Sequence, residues 1–148
     1  MNKVLIAYFS LAGHTQQMAE YIAEGVRISG QDVALKKLAE IKKTEELAGY
    51  DGYIFGCPTY HLDMTEPMKR FLFRARQANL SGKLGGAFGS YTHDGNAPKM
   101  VFNTMQYVFG MEPFELGPFN LIEAKVPTSE GMHACQDYGR VFGEKLGS

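Results

Sequence analysis

A chain of 148 residues, 45% hydrophobic and 21% charged, is long enough to bury the core of one domain. Its formal net charge of −1 supplies no basic stripe, which makes nucleic acid a poor partner. No run can span a bilayer and no signal-peptide pattern opens the chain. The distant Cys57 and Cys135 form neither a disulfide scaffold nor a zinc motif, so a reducing, cytoplasmic setting is expected.

Val4 to Phe9 is a continuous apolar run of β-branched and aromatic residues, the pattern of a strand buried on both faces. It stops at Ser10. A helical pattern follows at once, with Met18, Ile22 and Val26 on one face and Ala19 and Ala23 beside them. Between them lies the turn Ser10-Leu11-Ala12-Gly13-His14-Thr15. Strand, hydroxyl- and Gly-bearing turn, then helix is the geometry of a phosphate cradle. Backbone N–H groups converge there, and the helix dipole adds partial positive charge. No Lys or Arg stands between Lys3 and Arg27, and neither G-x-x-x-x-G-K-[ST] nor G-x-G-x-x-G is present in the turn. A triphosphate or a pyrophosphate is therefore disfavoured, and a terminal phosphate held by neutral donors remains. An ordinary N-capped helix would show the same residues without any ligand.

Asp32 to Leu38 alternates weakly and carries lysines, as a sheet-edge strand does. Thr44 to Gly49 reads as a short polar helix or turn. Tyr53 to Cys57 is a second buried strand, stopped by Pro58. Met64, Met68, Phe71, Leu72 and Ala75 follow helical spacing, with Pro67 in the first turn. Leu84 to Ser90 is a Gly-rich strand against which a helix can pack closely. Pro98 opens a helix whose apolar face is Val101, Phe102, Met105, Val108 and Phe109. Phe114 to Ile122 is an irregular last strand, broken by Gly117-Pro118, and Met132, Cys135, Gly139, Phe142 and Leu146 mark a final helix. Alternating strands and helices imply one α/β domain with a parallel sheet covered on both faces.

Ser10-Leu11-Ala12-Gly13-His14-Thr15 after a first strand resembles the FMN phosphate loop of flavodoxins, roughly hydroxyl-x-hydroxyl-Gly-x-Thr; Ala12 lacks the middle hydroxyl. The resemblance covers nearly the whole chain and is to the short-chain type. It implies a flavodoxin-like three-layer α/β/α fold with a five-stranded sheet of order 2-1-3-4-5. Ligands in such sheets sit outside the C-terminal strand ends at the switch point. That rule selects three segments: Ser10 to Thr15; Pro58, Thr59, Tyr60, His61, Leu62, Asp63 and Met64; and Ser90, Tyr91, Thr92, His93, Asp94, Gly95 and Asn96. In flavodoxins the corresponding loops hold the isoalloxazine, which makes Tyr60 or His61, and Tyr91 or His93, the stacking candidates.

Pro58-Thr59 with Met64, and Ser90-Tyr91, are similar to the flavodoxin domain of flavodiiron oxidoreductases and to NAD(P)H:quinone reductases of the tryptophan-repressor-binding type. His93 stands where those groups tend to carry Trp, and Leu62-Asp63 where they tend to have smaller residues. Flavodoxins turn a backbone carbonyl toward the ring in this loop, usually at a glycine. With no glycine here the turned backbone should be disfavoured. His14, His61 and His93 lack carboxylates spaced as in known metal ligand sets and read as polar loop residues. The resemblance implies an FMN-binding electron-transfer protein working with a redox partner protein or a small-molecule acceptor, as monomer or homo-oligomer and away from membranes. An NAD(P)H-dependent quinone reductase and a binding module that has lost FMN are the alternatives. Receiver domains and low-molecular-weight phosphatases are excluded, because the strand ends lack their acidic residues and Asp63 stands where C-x₅-R requires Arg.

Overall fold

A computed structural model describes residues 1–148. The buried strand opens the fold as β1 (Lys3–Tyr8), with Val4, Leu5, Ile6 and Ala7 fully inaccessible. It is followed by α1 (His14–Ile28), β2 (Asp32–Lys37) and β3 (Gly52–Gly56). A short hairpin of β4 (Thr59–Tyr60) and β5 (Asp63–Met64) precedes α2 (Glu66–Ala75). Then come β6 (Leu84–Tyr91), α3 (Asn96–Asn103), β7 (Glu112–Ile122) and α4 (Ser129–Gly147). The main sheet runs β2-β1-β3-β6-β7 and is parallel throughout, which is the order 2-1-3-4-5 when only its five strands are counted.

The strand pleat sorts the two faces. Gly85 of β6 faces Met105 and Met111, whereas its neighbour Gly86 faces Tyr138 and Phe142 of α4. Phe55, on the Gly85 face, meets Phe71 of α2 edge-on at 5.0 Å between ring centroids. The missing side chains of β6 are thus filled by methionines on one face and by aromatic groups of α4 on the other. α1 and α4 lie equally close. A Cβ on Gly139 would collide with the Ile22 carbonyl oxygen, and one on Gly25 with that of Gln136.

The last strand is irregular where expected. Its register against β6 breaks between Gly85 and Ala87, as Gly117 takes a φ of 71° ahead of Pro118. The backbone groups freed there are met by one side chain. The buried Tyr138 hydroxyl accepts the Ala87 N–H at 3.2 Å and donates to the Gly117 carbonyl at 2.8 Å. Phe119 stacks on the same ring at 5.1 Å.

Two elements differ from the sequence reading. Pro58 to Met64 contains a hairpin, and Met64 belongs to it rather than to α2. The helical pattern expected to run through Phe109 ends at Asn103, where one wider turn, Thr104–Val108, takes over. The Phe109 N–H bonds the Thr104 carbonyl five residues back, and this extra residue rotates Val108 out of the core to 55% exposure. Replacing Tyr138 by Phe strands a buried N–H and a half-buried carbonyl. It should cost about 2 kcal/mol, seen as a thermal midpoint lowered by roughly 4–8 °C with an unchanged far-ultraviolet dichroism spectrum.

Candidate functional site

The turn from β1 into α1 is built around Gly13, at a φ of 98° that an L side chain rarely adopts. Its N–H donates to Ser10 Oγ at 3.2 Å, which curls the loop back on itself. No side chain caps α1, and no acidic residue stands in its first turn. The first N–H groups of a 15-residue helix are therefore free, with the positive end of its dipole uncompensated. The buried Thr15 Oγ1 lies 2.9 Å from Ser90 Oγ at the end of β6. Two hydroxyls sharing one hydrogen bond keep one proton free for a third group.

These donors surround a shallow surface recess. Ser10, Leu11, Ala12, His14 and Thr15 line it from the turn, Pro58 and Tyr60 from the second segment and Ser90 from the third. Glu123, just beyond β7, closes it. Its Oε2 lies 3.8 Å from His14 Nδ1, and that nitrogen is buried without a hydrogen-bond partner. The uncharged donors suit a single phosphate group, and no Lys or Arg lines the recess.

Adjoining it, a cleft of about 380 Å³ opens between Thr59, Tyr60, His61 and Leu62 on one side and Thr92, His93 and Asp94 on the other. Tyr60 borders both spaces. Burial, and then the Glu123 carboxylate, pushes its phenol upward, so the hydroxyl keeps its proton. The cleft wall is the hairpin turn, with His61 at a φ of 52° and Leu62 at 65°. Positive φ is thus adopted here without glycine, against the sequence expectation. The turn is held from outside: Asn96 Nδ2 donates to the Leu62 carbonyl at 3.3 Å, and Asp63 pairs with Lys69 and accepts the Met64 N–H at 2.8 Å. The hydrogen bond from Lys69 keeps the Asp63 carboxyl below its ordinary range.

The remaining candidates have other partners. Thr59 Oγ1 accepts the Ala97 N–H at 2.9 Å, and the Gly95 carbonyl accepts Asn120 Nδ2 at 2.8 Å. Tyr91 pairs with Ile122 at the end of β6 and does not line the cleft. Asp63 and Met64 line a separate cleft with Phe9 and Leu11 on the far side of the hairpin. Glu123 and Asn120 went unnoticed in the sequence. Both lie at the C-terminal end of the fifth strand, so the strand-end rule carried one strand further reaches them. No group of three or more His, Cys, Asp or Glu side chains is arranged to hold a metal.

The family model for flavodoxin matches residues 6–135. The chain belongs to the flavodoxin family. Its structure matches a flavodoxin from the domain Archaea with a TM-score of 0.88, at 28% identity, over 99% of both chains. A flavodiiron core from Synechocystis matches 99% of this chain with 36% of its own length, at 26% identity and a TM-score of 0.86. An NAD(P)H dehydrogenase (quinone) from Acidithiobacillus ferrooxidans is 35% identical over 138 residues, covering 75% of this chain and 69% of that protein. This chain is thereby a flavodoxin-like redox protein, and proteins of the flavodoxin family bind FMN.

Cys57, next to the recess, and Cys135, in α4, are both free and fully buried. Burial pushes their thiols from an ordinary 9.0 up to about 11 and about 12. A raised folded value contributes stability that is complete below the unfolded value and is lost as pH rises through the folded one. The thermal midpoint should therefore hold up to about pH 9 and fall above it. Replacing Cys57 by Ala should shallow that alkaline decline. In the same window iodoacetamide should leave both thiols of the native protein unmodified, as read by intact mass.

Proposed function

We propose that this chain binds FMN, with the phosphate in the Ser10–Thr15 recess and the isoalloxazine in the adjoining cleft, and that it serves as a single-domain electron carrier. The observation that carries this reading is the pairing of an uncharged anion cradle with an aromatic- and imidazole-walled cleft that shares Tyr60 with it. Bound FMN would supply the electron-accepting and electron-donating chemistry. The protein's part is to grip, orient and shield. Thr15, Ser90, Ser10 and the first N–H groups of α1 hold the phosphate. Tyr60 or His61 on one wall and His93 on the other flank the ring, where an offset stack is worth about 0.5–1.5 kcal/mol. Tyr91, the other stacking candidate of the third segment, lies outside the cleft lining, which leaves His93 for that wall. The match to the archaeal flavodoxin over 99% of both chains supports the carrier role. Electrons would pass at the exposed flavin edge to a redox partner protein.

The quinone dehydrogenase relatives support a second reading, reduction of a small acceptor by NAD(P)H. The formal net charge of −1 favours it as well, because long-range steering toward a basic partner protein is weak. Steady-state oxidation of NADH and NADPH with a quinone separates the two: turnover supports the reductase, its absence in an FMN-loaded protein the carrier.

Adding the protein to FMN should quench flavin fluorescence with one-to-one stoichiometry; no quenching at excess protein overturns the FMN assignment. Thr15→Val removes a hydroxyl donor to a charged group and should weaken FMN by about tenfold or more, while Thr15→Ser should bind nearly as the parent does.

A further inference from the structure

We propose that Glu123 and His14 set the phosphate selectivity of the recess by making occupancy proton-linked: a phosphate dianion enters as His14 takes up a proton that pairs with Glu123. The proposal rests on the recess being the FMN phosphate site.

Glu123 is the one carboxylate in a recess otherwise built for an anion. It faces the uncapped positive end of α1, where no other acidic residue stands. In the ligand-free chain that placement is favourable. A phosphate dianion entering the same recess meets a like charge, and two anions so close are mutually destabilised without a counter-charge. No Lys or Arg lines the recess to provide one. Lys125, two residues beyond Glu123, is turned to Glu130 at 3.7 Å.

His14 is placed to provide it. Its Nδ1 is buried, lacks any hydrogen-bond partner and lies 3.8 Å from Glu123 Oε2. That separation exceeds a hydrogen bond, yet a small rotation closes it once the nitrogen carries a proton. The imidazole is the side chain whose charge changes between about pH 5 and 8. Of the other titratable groups, Tyr60 lines the recess from the hairpin and holds its proton, while His93 and Asp94 border the ring cleft instead. The phosphate's own second ionisation, at about pH 6, lies below the range of pH 6.5 to 8.0, so in that range the proton goes to His14, converting the Glu123 carboxylate from a repelling group into one arm of an imidazolium bridge.

One linked proton changes affinity by up to about tenfold per pH unit. Fluorescence titrations of FMN and of riboflavin, which lacks the phosphate, from pH 8.0 to 6.5 test this. The parent protein should bind FMN about fivefold tighter or more at the lower pH, with riboflavin affinity flat. Glu123→Gln should bind FMN tighter than the parent at pH 8.0 and lose most of the slope. His14→Gln should lose the slope and stay weak at pH 6.5. An FMN affinity in the parent that does not change with pH, or a Glu123→Gln variant that binds FMN more weakly at pH 8.0, overturns the proton link alone. Riboflavin binding as tightly as FMN throughout overturns the phosphate assignment itself.

Discussion

The fold depends on the burial of β1 on both faces. A strand with no accessible side chain from Val4 to Ala7 must sit inside the sheet, between two other strands. The chain that leaves it can only turn out over the C-terminal edge and come back as a helix. The turn is therefore tight, and Gly13 supplies its left-handed step. The same turn leaves α1 uncapped. A missing cap costs about 1 kcal/mol, so the helix start is a place where an anion is stabilised and also stabilises. Because the sheet is parallel, the ends of β3, β6 and β7 arrive on the same edge, and Tyr60, Ser90 and Glu123 reach one recess from three distant parts of the chain.

Fold and site were legible in the sequence wherever burial dictates residue type. β1 and β3 read as apolar runs because no face is wet, β2 read as an edge because lysines are tolerated only there, and Gly117-Pro118 announced the break in β7. The glycines of β6 announced close packing, although not that Tyr138 would both fill their space and satisfy the broken register. What stayed hidden depends on single long-range contacts. The wide turn after α3 moves Val108 out of the core by one extra residue, a change that periodicity alone cannot show. Glu123 follows an irregular strand and belongs to no motif, so nothing local set it apart.

The hairpin of β4 and β5 shows how the remaining part of the site is held. Two-residue hairpin turns favour positive φ at both central positions because that twist matches the strands, and such turns usually carry Asn or Gly. Here His61 and Leu62 occupy them, at a cost of about 1–3 kcal/mol each. Strain of this size persists only when the surroundings overdetermine it. Asn96 Nδ2 holds the Leu62 carbonyl from the start of α3, the Asp63–Lys69 pair ties the turn to α2, and Thr59 Oγ1 ties its base to Ala97. Each tie comes from an element that packs on the sheet, so the turn is positioned by the core and not by its own residues. The result is a cleft wall carrying an imidazole beside a phenol, with its outer carbonyl already engaged by Asn96. A glycine in place of Leu62 would relax the backbone and leave the carbonyl's hydrogen bond to Asn96 in place. The orientation of this peptide is therefore fixed by the ties that offset the leucine's positive φ, and not by the leucine itself.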